Sequence, residues 1–166
     1  MKHRALPLAL VLSACLGGCG LQPMYAGGTN GAVARGLAAV DVAPIEGKAG
    51  WLVRNALNDR LAASGSASPK YRLDVRLDER LEGLGVLSDD TIGRERRTLR
   101  ARYQLVDLAT GGIVMDASAS ADAGIDVVSS DYATITAEQT ALENLSREIA
   151  GRIAASVALT LRREGA

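Results

Sequence analysis

Phenylalanine is absent from this chain, histidine occurs once, at His3, and the only cysteines are Cys15 and Cys19. Aromatic residues make up 3% of the sequence while hydrophobic residues make up 48%. A core must therefore be assembled from Leu, Val, Ile and Ala rather than around rings. A long apolar run is missing too. The run that follows Lys2 and Arg4 contains Pro7 and ends near Leu16, short of the ~20 residues a membrane-crossing helix needs.

That short run has another meaning. A basic start, about a dozen apolar residues and small residues before a cysteine describe a bacterial lipoprotein signal peptide. Two cysteines fit, because Leu12-Ser13-Ala14-Cys15 and Leu16-Gly17-Gly18-Cys19 both have the Leu-small-small-Cys form. Cys19 is favoured over the alternative, Cys15, since it gives the apolar segment an ordinary length. The expected division is a signal peptide over 1–18, a lipidated, glycine-rich flexible tether over 19–36 and a single α+β domain over 37–166. Acyl chains on the thiol would hold the protein to a membrane.

Cleavage before Cys19 changes the chemistry available. The only histidine and Cys15 leave with the signal, and Cys19 is blocked by acylation. Histidine-based triads, histidine-ligated zinc and thiol nucleophiles are then excluded. Gly47-Lys48-Ala49 lacks the spacing and hydroxyl residue of a phosphate loop, and Gly83-Leu84-Gly85 lacks the third glycine of a dinucleotide fingerprint. No enzyme, metal or cofactor is expected. Asp89-Asp90 reads as a solvated turn. Losing Lys2 and Arg4 from a chain with 19 basic and 19 acidic residues leaves a slight acidic excess, which argues against nucleic acid as a partner.

The folded part reads as strand, helix, three strands, helix. Val40 and Val42 alternate with Asp41 before Pro44, which suggests a short strand. From about Gly50, Val53, Leu57 and Leu61 recur every four residues, so this is an amphipathic helix ending near Gly65. Tyr71, Leu73, Val75 and Leu77 alternate with charged residues. After a loop expected over Gly83 to Gly93, Leu99, Ala101, Tyr103 and Leu105 alternate likewise. Thr110-Gly111-Gly112 marks a turn, and the next strand puts Ile113, Met115, Ala117, Ala119 and Ala121 on one side. Leu142, Leu145, Ile149, Ile153, Val157 and Leu161 then form one stripe of a long helix, capped either at Ser130 or by a box at Thr136. Two helices on the single apolar face of the sheet bury everything apolar and leave the opposite face charged.

That charged face carries the candidate binding residues. Arg94, Arg96, Arg100 and Arg102 share one parity, as do Arg72 and Arg76, which alternate with Asp74 and Asp78. One reading is a solvated face with weak ion pairs. The other is a polar surface that meets a phosphorylated lipid or the wall of another protein, where the guanidinium fork gains from partial desolvation.

The order of motifs resembles the lipopolysaccharide-assembly lipoproteins of the LptE family, in their alphaproteobacterial form. The residues that carry this are Cys19-Gly20-Leu21-Gln22-Pro23-Met24-Tyr25, Val42-Ala43-Pro44-Ile45, Leu52-Val53-Arg54-Asn55-Ala56-Leu57, Tyr71-Arg72-Leu73, Ala101-Arg102-Tyr103-Gln104-Leu105-Val106-Asp107, Thr110-Gly111, Ser130-Asp131-Tyr132-Ala133 and Ala137-Glu138. Trp51 departs from the family's pattern. The resemblance implies two helices on a mixed four-stranded sheet (β-α-β-β-β-α). It also implies an outer-membrane lipoprotein, palmitate-bearing and periplasm-facing, that plugs the β-barrel LptD and binds lipopolysaccharide. Gly20 after the cysteine, in place of a retaining aspartate, agrees with the outer membrane. The competing readings are an auxiliary lipoprotein of a lipid-transport ABC system and a structural envelope lipoprotein.

Overall fold

The computed structural model describes residues 31–63, 65, 67–86 and 92–164. The segment expected to carry the lipid, with Cys15 and Cys19, and the Asp89-Asp90 pair lie outside the described residues. The elements run α1 (Ala32–Ala38), β1 (Val40–Val42), α2 (Gly47–Ala62), β2 (Tyr71–Val86), β3 (Ile92–Asp107), β4 (Ile113–Asp126) and α3 (Asp131–Glu164). The strands form one sheet in the order β1-β2-β3-β4. β1 pairs parallel with β2, and the other neighbours are antiparallel. This is the expected mixed four-stranded α+β sheet. A parallel pair needs a crossover between its strands, and α2 supplies it.

The periodic segments fold as their patterns dictate. Val53 and Leu57 of α2 are fully buried, as are Leu99, Ala101 and Leu105 of β3 and Ile149 and Ile153 of α3. One core cluster joins α1, α2 and α3 to the inner face of the sheet. At 34 residues α3 is about 50 Å long at ~1.5 Å per residue, enough to match the 16-residue strands beneath it. The Ser130 hydroxyl accepts a hydrogen bond from the Ala133 N–H at 3.4 Å, so the earlier of the two possible caps starts this helix.

Four expectations are corrected. The stretch assigned to the tether is helical from Ala32, and Val33, Ala34 and Leu37 are buried in it. Seven residues cannot hold a helix in water alone, so α1 exists through packing on α3. A Cβ on Gly36 would lie 3.2 Å from Leu161 Cδ1, which is how closely the two helices approach. The loop expected over Gly83 to Gly93 is shorter, because Gly83 pairs with Glu95 and Leu84 with Arg94, and the β2–β3 ladder carries the glycines. Ile113 is 58% exposed rather than inward. Leu105 pairs with Met115 but Val106 with Ile113, so Val114 is an extra residue that reverses the alternation. Finally, α2 begins at Gly47 instead of about Gly50. A Cβ on Gly50 would sit 2.6 Å from the Ile45 carbonyl oxygen, so glycine is what lets the incoming chain fold back across the first turn.

Candidate functional site

Strand alternation places Arg72 and Arg76 of β2 and Arg94, Arg96, Arg100 and Arg102 of β3 on the sheet face away from the helices, all exposed. Register then sorts them. Arg76 lies directly opposite Arg102, and Arg100 opposite Asp78, so these cations gather at mid-sheet. Arg96 stands opposite Glu82 on one side and Gly124 on the other, farther along the sheet, and Arg94 is farther still, beside Asp126.

Their partners differ as well. Arg72 grips Asp74 with both prongs at 2.8 Å, and this hydrogen bonding, then the carboxylate charge, raises its pKa. Arg102 donates to Asp116 at 3.0 Å, and Gln104 donates to the same carboxylate at 2.8 Å. Those two hydrogen bonds, Arg102's first, hold the Asp116 carboxyl below the usual carboxylate range. Arg94 pairs with Asp126 at 3.3 Å. Arg76, Arg96 and Arg100 make no ion pair or hydrogen bond among the described residues. Exposed pairs such as these contribute little to stability, so the six guanidinium groups, three paired and three not, do little to hold the sheet together.

Beside Arg76 and Arg102 the sheet opens into a groove. Ala43 makes the last hydrogen bond of β1, its N–H donating to Leu73 O at 3.1 Å. Pro44 then has no N–H to continue the ladder, and the chain leaves the sheet. Between Ala43–Glu46 and β2 lies an open groove of about 920 Å³. Pro44, Ile45, Val75 and Leu77 form the apolar part of its wall, and the rest is polar, with the cations Arg76 and Arg102, the amide Gln104 and the carboxylates Glu46 and Asp74. Cation beside apolar wall suits a ligand with a phosphate next to hydrocarbon. The sequence pattern pointed to the arginines but missed Gln104, Asp116 and Ala43–Glu46. Gln104 and Asp116 were legible only as outward parity, and the groove depends on where β1 stops.

Arg97 was not singled out by pattern. It lies on the helix-bearing face, 14% exposed, donating to Glu79 at 2.9 Å from Nε and to the Glu138 carbonyl at 2.6 Å. It ties β2, β3 and α3 together, so its role is structural.

A two-layer α+β module with helices on one side, a polar face on the other and a groove at the short edge strand has the form of a binding and assembly domain. The chain belongs to the LptE lipopolysaccharide-assembly family, whose model matches residues 37–157. This is a family of envelope lipoproteins. A Caulobacter crescentus CB15 protein described as a lipoprotein is similar at 26% identity and a TM-score of 0.67, covering 81% of this chain and 98% of that one. The minor lipoprotein of Acinetobacter baumannii (15% identity, TM-score 0.60, 74% and 92% covered) and the rare lipoprotein B of Shewanella oneidensis (12%, 0.58, 77% and 98%) share the fold. A search of curated proteins finds no match. Among the described residues no helix is long and apolar enough to cross a membrane.

Proposed function

We propose that this chain is a non-catalytic outer-membrane lipoprotein, acylated at Cys19, that assembles with and plugs an LptD-type β-barrel and binds lipopolysaccharide on its outward sheet face. Residues 1–18 are the signal peptide and the residues from Cys19 up to α1 are the tether. The observation that carries the lipid reading is the pairing of Arg76 with Arg102, next to Arg100, beside a groove whose wall is apolar at Pro44, Ile45, Val75 and Leu77. Arg76 and Arg100 are uncommitted cations, and Arg102 is oriented by Asp116. A lipid phosphate set over them gains charge-assisted hydrogen bonds, with an acyl or glucosamine segment against Pro44, Ile45 and Leu77. Arg72 and Arg94 are committed to their own acids, and Arg96 lies apart, so they are secondary contacts.

The test has two arms. Arg100→Glu with Arg102→Glu is expected to lower lipopolysaccharide binding by about tenfold or more, since each charged hydrogen bond is worth ~1.5–3 kcal/mol. Unchanged affinity in a stably folded double variant rejects the arginine site. Recovery of the tagged protein from mild detergent with an inner-membrane ATPase complex, and without a large β-barrel, rejects the assembly role.

A further inference from the structure

The core stops short of the far end of the sheet. Leu142 and Ile149 of α3 are buried, and Ile135 continues their stripe at the same spacing along the helix, yet Ile135 is 62% exposed. The strands beneath account for this. The hydrogen bond from Arg97 to the Glu138 carbonyl sets the first turns of α3 over the end of β3, where the inward positions are Gly93 on β3 and Gly83 on β2. Neither glycine raises a side chain to meet the helix. Leu81, the inward residue before Gly83, is left 44% exposed as well.

Glu95 stands in this bare patch. It projects from the inward face between Gly83 of β2 and the buried Ile125 of β4. Its carboxylate oxygen Oε2 is buried with no hydrogen-bond partner, and Glu95 enters no ion pair among the described residues. Arg97, the next residue on that face, is already committed to Glu79 and to the Glu138 carbonyl. An acceptor closed off from water without a donor destabilises the chain that carries it. Glycines inside strands also mark places where another backbone comes close.

We propose that this end of the inward face docks a polypeptide segment of a partner protein, which brings one basic side chain to Glu95 and apolar side chains to Leu81 and Ile135. The argument is charge complementarity. A guanidinium or ammonium group supplies the donors that Glu95 lacks, and the bare glycines let the backbone of the segment lie against the sheet. A lipid does not suit the patch, since an acyl chain leaves the carboxylate unpaired and a phosphate repels it. Nor does the chain's own tether, because Cys19 to Gly31 contains no lysine or arginine. The inference rests on the barrel-plug reading, which makes the segment part of the β-barrel, and it leaves the outward arginines to the lipid on the opposite face.

The full chain, co-expressed with the LptD-type barrel and purified in mild detergent, provides the test. A photo-crosslinking side chain placed at Leu81 or at Ile135 is expected to join barrel peptides that contain a lysine or arginine. Glu95→Lys should lower the recovered barrel by about tenfold. Glu95→Gln, equal in size, should lower it as well and decides the matter if the lysine disturbs folding, while the melting temperature of the Glu95→Gln chain without the barrel stays the same or rises. Undiminished recovery by both variants, or cross-links only to peptides without a basic residue, overturns the docking patch and leaves the plug reading standing. A cross-link only between two copies of this chain does the same. A clear fall in melting temperature on Glu95→Gln also overturns it, because Glu95 then has a partner within its own chain. If the unsubstituted chain recovers no barrel, the plug reading fails and this inference fails with it.

Discussion

Arg76 and Arg102 stand directly opposite each other on adjacent strands and the same face, Arg102 turned onto Asp116 at 3.0 Å and Arg76 without an acid. Like charges in this position cost stability. The arrangement makes sense as a surface completed by an anion.

Replacing Arg76 with Ala is therefore expected to leave the fold as stable as before or to raise its melting temperature slightly, within ~0.5 kcal/mol, and to weaken lipopolysaccharide binding. Thermal unfolding and a binding titration on the same sample decide it. A clear drop in melting temperature would mean that Arg76 has a structural partner after all.

Asp116 offers a pH reading. Its folded pKa is depressed, chiefly by the Arg102 hydrogen bond, so its contribution is present above the ordinary carboxylate pKa and is lost as pH falls through the lower folded value. Arg102→Ala should move the Asp116 midpoint upward, toward that of a free carboxylate. Carboxyl carbon NMR measures it, and a midpoint that does not move would assign the depression to Gln104 instead.

Gly50→Ala should destabilise the domain by ~1–3 kcal/mol, because the new methyl group meets the Ile45 carbonyl at a distance no packing tolerates. Moving Ile45 also reshapes the groove wall. Lipopolysaccharide affinity should fall with stability in Gly50→Ala, and chemical denaturation with a binding assay checks both.

Ile149 is fully buried at the centre of α3. Ile149→Ala should cost ~2–5 kcal/mol by urea unfolding. Leu159, on the same helix but 41% exposed, should cost far less when replaced by Ala, and equal losses would contradict the placement of the helix.

Much of this was legible from local periodicity. Val53, Leu57 and Leu61, the odd residues Leu99 to Leu105, and the stripe from Leu142 to Leu161 each announce one element and its inward face, because the 3.6 and 2.0 residue periods are properties of the backbone. α1 was not legible, since Val33 and Leu37 make only one helical repeat in a glycine-containing stretch and need Leu161 across the gap. Ile113 was misplaced because a bulge at Val114 is visible only once β3 is laid beside β4. Trp51 is 63% exposed and leaves the core unaffected.

For the site the division is similar. Parity put the arginines on one face, but which of them is free follows from register. Arg72 is bound to an acid two residues away on its own strand, while Arg76 has Arg102 as its cross-strand neighbour.

By itself the sequence determined the order of elements, their apolar faces, the likeness to a lipid-anchored assembly family and the outward parity of the arginines, because all of these are short-range patterns along one chain. Only the tertiary structure decided that β1 ends after three residues, and that a groove opens where Pro44 leaves the sheet. Those depend on hydrogen bonds between residues roughly thirty positions apart, whose register no local pattern encodes.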